Sequence, residues 1–153
     1  MRDTEGRYTA DEWMSYSDVG KSFKNGTLTF KEYSEIENKY IQAVNLFLKR
    51  SGCDGIITKS VEKHSLIKDF VDRDRELFKK YEEVAEGKVF KVKSFTPIVQ
   101  LILRDYLWCE LHCTASNNVI RFGYDYYMYF SGDSGFKNPG FLKEIDEIGL
   151  FAE

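Results

Sequence analysis

Two carboxylates, Glu110 and Asp125, are the residues of this sequence that come closest to a pattern for acid–base chemistry. They lie in two segments, 107–115 and 119–130, in which apolar residues alternate with more polar ones, and such alternation predicts strands with two different faces. If the segments pair, the two carboxylates face each other, and one of them can have a raised pKa, as in hydrolases with paired acids. The mixed face that carries them is the candidate site, and its members are Trp108, Glu110, His112, Arg121, Asp125, Tyr127 and Tyr129.

Three uses of this mixed face stay open. An enzyme would use Glu110 and Asp125, but no glycine-rich phosphate loop, nucleophile or cofactor motif accompanies them, so we predict that the protein is not an enzyme. A binding protein would use the aromatic residues as anchors and the acids as complementary charge. A structural or regulatory domain would use the face for self-association. Without any such use, a layer of helix would cover the face or it would be an ordinary solvated surface.

Two short motifs indicate metal binding at first sight. FKNGTLTFKEY is similar to the second half of a calcium-binding EF-hand loop, with Gly26 and Glu32 at the loop's glycine and glutamate positions. The first half lacks oxygen ligands, and Thr29 with Glu32 forms the S/T-x-x-E capping box of a helix. Cys109, His112 and Cys113 have residue types that suit zinc, but strand alternation places His112 on the face opposite to the cysteines. We therefore predict neither a metal nor a cofactor.

The motif GDSG at 132–135 resembles the nucleophile motif of chymotrypsin-like serine proteases. His112 lies too close to it in the sequence for that fold, in which the histidine is far upstream of the serine. A glycine-rich turn after a strand explains the motif equally well, so we predict no catalytic serine.

The element that must position the site is a hairpin. The Asn-Asn dipeptide at 117–118 tolerates the positive φ of a tight type I′ turn. A register with Ser116 opposite Val119 pairs apolar residues along one face and sets Glu110 opposite Asp125 on the other. Opposed carboxylates repel, and a basic partner would relieve that repulsion. Residues 119–130 then form one long strand.

Helical periodicity and end signals predict the remaining elements. The capping box at Thr29 begins a helix that Ser51-Gly52 ends, and prolines follow polar N-cap residues at two later sites. We expect helices at 30–50, 66–85 and 97–106 and one beginning at Pro139, strands at 55–63 and 150–152, and an edge strand or linker at 88–93.

A content of 42% hydrophobic and 16% aromatic residues is enough to fill one core, so we predict a single domain over residues 1–153. Residues 1–12 are polar, and we expect them to be loosely held. A net charge of −3 does not indicate the basic surface that nucleic-acid binding normally requires. No apolar run approaches the roughly 20 residues of a membrane span, and the acidic, polar N-terminus lacks the apolar segment that is typical of a signal peptide. We predict a cytoplasmic protein with reduced, buried cysteines, because Cys109 and Cys113 on one strand lie roughly 13 Å apart.

The segments LWCEL, IRFGYDYYMYF and LTFKEYSEIENKYIQAVNLFLKRSG together resemble the bacterial immunity proteins of contact-dependent growth inhibition and other polymorphic-toxin systems. The resemblance covers about two thirds of the chain, and it assigns a role to no individual residue. It implies a cytoplasmic protein that binds and neutralises the toxic domain of a cognate effector, often a nuclease. The acidic net charge suits the basic surface of a nuclease.

The sequence therefore predicts an α+β domain in which a mainly antiparallel sheet, with a long hairpin at its centre, is covered by about four helices. The predicted function is toxin neutralisation by protein–protein interaction. The expected partner is a cognate toxin domain with a basic surface, and we expect neither nucleic acid nor membrane as a partner. The oligomeric state stays open.

Overall fold

The structure is a computed structural model, and it describes residues 15–23, 26–64, 73–123, 127–133 and 139–150. The fold is α+β with mainly antiparallel sheet, as predicted: the described residues form four α-helices, a five-stranded sheet and a two-stranded sheet. The strands are β1 (Ser22–Phe23), β2 (Gly26–Thr27), β3 (Gly55–Lys63), β4 (Val89–Lys91), β5 (Leu107–Cys113), β6 (Val119–Phe122) and β7 (Met128–Ser131). The helices are α1 (Phe30–Arg50), α2 (Arg75–Glu83), α3 (Phe95–Leu103) and α4 (Pro139–Ile148).

Helix α1 has the predicted bounds, and local chemistry explains both ends. Thr29 Oγ1 accepts a hydrogen bond from the Glu32 amide at 3.2 Å, and the Thr29 amide donates to Glu32 Oε2 at 2.8 Å. This capping box satisfies two donors that the first turn would otherwise leave without partners. The helix ends before Gly52, whose φ of 60° favours glycine.

Strand β3 also has its predicted bounds, and the segment 88–93 contains the predicted edge strand, β4. Helix α2 lies within the predicted helix 66–85, of which residues 66–72 lie outside the described residues. Helix α3 begins at Phe95 and ends at Leu103, earlier than predicted at both ends. Pro97 occupies its first turn, where the missing N–H breaks no hydrogen bond of the helix.

Helix α4 begins at Pro139, as predicted, and buries Phe141 and Ile145. Leu142 of the same helix is 48% exposed. Leu150 belongs to no strand, and the rest of the predicted strand at 150–152 lies outside the described residues.

The five-stranded sheet has the order β4-β3-β5-β6-β7. The predicted register of the β5–β6 hairpin is wrong, because Leu111 lies opposite Ile120 and His112 lies opposite Val119. The connection therefore takes in residues 114–118 instead of a two-residue turn. Its Asn118 is buried and accepts a hydrogen bond from the Asp133 amide at 2.9 Å. This contact fixes the longer loop against the end of β7.

The predicted long strand 119–130 is also wrong, because the chain reverses within it. Strands β6 and β7 pair with each other, with Ile120 opposite Phe130 and Phe122 opposite Met128. The Gly123 amide donates to the Tyr127 carbonyl at 2.7 Å at the base of the turn, and residues 124–126 lie outside the described residues. This reversal keeps even-numbered residues of both strands on the core face, so the alternation of one strand also fits a hairpin.

The helices of the described residues pack on one face of this sheet. Phe47 of α1 stacks on Phe130 of β7 with ring centroids 4.6 Å apart, and Phe130 meets Phe141 of α4 edge-on at 5.6 Å. Buried Glu37 of α1 binds the Arg104 guanidinium through two hydrogen bonds of 2.7 and 2.8 Å, which tie α1 to the end of α3. The opposite face of the sheet, which carries the candidate site, has no described helix over it.

Cys53 and Cys113 form a disulfide, with their Cα atoms 5.6 Å apart. The expectation of three reduced thiols is therefore wrong for this pair. The two residues are 60 apart in the sequence, and the pairing of β3 with β5 brings Ile56 opposite Cys113 and so places Cys53 close to it. Cys109 is a buried free thiol, and burial raises its pKa to about 12.

Candidate protein-binding face

We call the sheet surface opposite the helices the open face, and β5 forms its centre. Trp108, Glu110 and His112 alternate there with the buried residues of the core, because β5 has strict two-residue alternation. Neighbouring strands complete the open face, and its described members include Lys59, Trp108, Glu110, His112, Arg121, Tyr127 and Tyr129. Asp125, the remaining predicted site residue, lies outside the described residues.

Glu110 is the centre of a polar network on the open face. Its Oε1 accepts a hydrogen bond from Arg121 Nε at 2.6 Å, and its Oε2 accepts one from His112 Nε2 at 2.7 Å. Lys59 lies directly opposite Glu110 on β3. Glu110 therefore lies among cationic and hydrogen-bond-donating groups, and not opposite a second carboxylate as predicted.

The pKa of Glu110 follows from these contacts. Burial acts to raise this pKa, but the hydrogen bonds from Arg121 and then His112 together outweigh burial, and the pKa of the carboxyl is lowered. A hydrolase of the paired-acid type would need the opposite direction at its general acid. Glu110 is therefore suited to hold neighbouring side chains in place rather than to donate a proton.

Trp108 is half-buried, and its indole nitrogen has a partner within the fold. Nε1 donates to the Phe122 carbonyl at 2.7 Å, beyond the last described ladder pair between β5 and β6. Because this hydrogen bond satisfies the only polar atom of the side chain, the rest of the indole offers apolar aromatic surface.

Two tyrosines extend the aromatic surface towards β7. The rings of Tyr127 and Tyr129 lie 6.3 Å apart, and Tyr129 is 55% exposed. Arg121 lies opposite Tyr129 across the β6–β7 pair. The open face therefore combines aromatic area with a fixed polar network, which is the composition found at protein interfaces.

Within the described residues, the cysteines and the histidine that suit zinc do not assemble into a site. Cys113 forms a disulfide with Cys53, and His112 forms a hydrogen bond with Glu110, so Cys109, His112 and Cys113 do not converge. Within the described ranges, no group of three or more His, Cys, Asp and Glu side chains is placed to hold a metal ion. Of the GDSG motif, Gly132 and Asp133 are described, and the other two residues are not.

Two features of the surface were missed by the sequence analysis. Lys59 belongs to the open face because β3 is the neighbour of β5. The alternation of residues within a strand does not predict which strand pairs with it. His64 and Asp105 are 41 residues apart and meet in a hydrogen bond at the end of the sheet. No local sequence signal identifies either contact.

Comparison with protein-family models found no match, and comparisons with curated proteins and with solved structures found no significant match. No helix among the residues that the structure describes is both long and apolar enough to cross a membrane.

Proposed function

We propose that this chain is an immunity-type protein that binds and neutralises a cognate toxin domain, such as a nuclease, through the open face. The observation that carries the proposal is the combination of Trp108, Tyr127 and Tyr129 with the Glu110 network on a sheet surface that no described helix covers. The resemblance to immunity proteins supplies the kind of partner.

The polar network supports binding because it is already ordered in the free protein. Glu110 holds Arg121 and His112 in place, so these side chains would lose less conformational entropy when a partner binds. Arg121 is still half exposed, with 48% of its side chain accessible. A preorganised, half-exposed arginine beside tyrosines is a common hot-spot arrangement.

The charge of the open face differs from the sequence expectation. Glu110 is compensated by Arg121 and faces Lys59, so its carboxylate is not the group that attracts a basic partner. The net charge of −3 is the remaining reason to expect a basic toxin surface. We propose that aromatic contacts supply most of the affinity and that charge acts mainly on the association rate.

The proposed location is the cytoplasm, where a toxin such as a nuclease acts. Disulfides are rare there, so the Cys53–Cys113 bridge argues for an oxidising compartment. Labelling free thiols with N-ethylmaleimide during cell lysis in denaturant, which exposes the buried Cys109, separates the two locations. Three labelled cysteines per chain would support the cytoplasm, whereas one labelled cysteine would indicate an oxidising compartment, in which the disulfide persists.

The test of function is calorimetric titration with the product of the adjacent toxin gene, using the double variant Arg121→Ala with Tyr129→Ala. We expect the double variant to lose at least about 2 kcal/mol of binding free energy, roughly thirtyfold in affinity, as for interface hot spots. Leu142→Ala is the matched control, since Leu142 is 48% exposed on a helix of the opposite side. Circular dichroism would verify that each variant is folded.

Unchanged affinity in the folded double variant would remove the open face from the interface. Absence of any binding to the adjacent gene product would refute toxin neutralisation itself. Self-association is the competing use of this face, and size-exclusion chromatography of the free protein at several concentrations would reveal it as an oligomer that the double variant dissociates.

A further inference from the structure

A cleft of about 280 Å³ lies at the end of the sheet where β3 and β6 end and β5 begins. Trp108 lines it and is shared with the open face, but the other walls come from the end of α3 and from the core strands. Its walls are polar and apolar in similar measure. The residues that line the cleft include Ser15, His64, Ile102, Asp105, Leu107, Trp108 and Phe122.

Two of the polar residues that line this cleft, His64 and Asp105, are arranged so that one acceptor has no partner among the described residues. His64 Nδ1 lies 3.0 Å from the Asp105 carbonyl oxygen and 3.1 Å from Asp105 Oδ1. Both neighbours are acceptors, so Nδ1 carries the proton. In the neutral ring, Nε2 is then the acceptor, and it makes no hydrogen bond with any described residue.

The position of this imidazole is fixed by the surrounding backbone. Asp105 has a φ of 59° at the end of α3, where its amide donates to the Ile102 carbonyl at 3.0 Å. The His64 amide donates to the Tyr106 carbonyl at 3.1 Å, and the His64 carbonyl accepts from the Tyr81 hydroxyl at 3.2 Å. Ring and backbone of His64 are thus both anchored, which orders the site before any ligand binds.

The remaining polar atom of the aromatic wall is already used. Because the indole N–H of Trp108 donates to the Phe122 carbonyl, the tryptophan contributes ring surface and no free donor. The cleft therefore offers the aromatic surface of Trp108 and the apolar surface of Leu107 beside the acceptors of His64 and Asp105. Its complement is an apolar ring that carries a hydrogen-bond donor.

We propose that this cleft binds a single aromatic ring bearing a hydroxyl group, with the ring against Trp108 and Leu107 and the hydroxyl donating to His64 Nε2. Ligand pockets commonly measure about 300–1,000 Å³, so a volume of about 280 Å³ suits one ring and not a nucleotide. The phenol is the shared chemistry of a small free ligand and of a tyrosine side chain from another protein. The site does not depend on the toxin-binding function proposed above.

The chain contains two histidines, His64 and His112, so proton NMR can follow both imidazoles separately after assignment with single variants. The probes are p-cresol and 4-methylanisole, which share the ring but differ in having a hydroxyl donor. We expect p-cresol to shift the His64 signals, to leave those of His112 in place, and to bind about three- to tenfold more tightly than 4-methylanisole, as one net hydrogen bond allows.

The variant His64→Phe keeps an aromatic ring of similar size and removes the acceptor, so it should abolish the preference for p-cresol. His112→Gln is the matched control and should retain the preference, because residue 112 is not part of the cleft. N-acetyltyrosinamide distinguishes the sources: binding as tight as that of p-cresol indicates a protein tyrosine, and much weaker binding indicates a small free phenol. Equal binding of p-cresol and 4-methylanisole by the wild type, or a shift confined to His112, would overturn the proposal.

Discussion

The disulfide between Cys53 and Cys113 should contribute a large part of the stability of this chain. It closes a loop with a sequence separation of 60 residues. In the chain-entropy treatment such a loop removes about 14 cal/mol/K from the unfolded ensemble, which is about 4 kcal/mol at 25 °C. Domains are typically stable by about 5–15 kcal/mol, so reduction should remove a substantial fraction of the free energy of unfolding.

The measurements are urea unfolding and thermal unfolding, both followed by circular dichroism, with and without a phosphine reductant. For a domain of this size about 4 kcal/mol corresponds to a fall of about 8–16 °C in the melting temperature. The double variant Cys53→Ala with Cys113→Ala should resemble the reduced wild type and should not respond to reductant. A titration of free thiols in denaturant should find one per oxidised chain and three after reduction.

Cys109→Ala provides the matched control for this experiment. Cys109 is the buried free thiol, so its replacement should cost some packing energy and still leave the protein sensitive to reductant. If wild type and reduced wild type unfold at the same urea concentration, the folded protein gains nothing from the bridge. A Cys109→Ala variant insensitive to reductant would mean that the wrong cysteines have been paired.

Three further predictions follow from the packing. Gly132→Ala should destabilise the fold by about 2 kcal/mol or more, because the added Cβ would approach a side-chain oxygen to 2.3 Å. Gly26→Ala, at a similar φ of 124° but with open space around it, isolates the strain of the backbone alone, so equal melting temperatures for the two variants would refute the clash. Arg104→Met should cost about 3–5 kcal/mol in chemical unfolding, because it leaves Glu37 buried without its cation, and a neutral result would mean that Glu37 reaches water. The folded-state pKa of Glu110 is lowered from its ordinary value of 4.5, so its contacts stabilise the fold fully above that value and lose this effect as the pH falls through the folded pKa. The melting-temperature difference between wild type and Glu110→Gln should therefore shrink below pH 4.5, and a difference independent of pH would contradict the ion pair.

Sequence by itself determined the elements whose ends are set by neighbouring residues. Helix α1 has its predicted bounds because Thr29 and Glu32 cap each other within one turn, and β3 has its predicted bounds because its β-branched run stops at glycine and charged residues. The assignment of Glu110 to the polar face and Cys109 to the core also followed from sequence. Two-residue alternation depends only on the geometry of one strand.

Tertiary structure decided which strands lie side by side and where they reverse. The segment 119–130 keeps the same alternation whether it runs straight or folds back, so its hairpin could not be predicted from its pattern. The shift in register that exchanged Asp125 for Arg121 as the neighbour of Glu110 comes from the longer loop at 114–118. Contacts such as Cys53 with Cys113 and His64 with Asp105 join distant parts of the chain, and they exist only because the sheet brings its strand ends together.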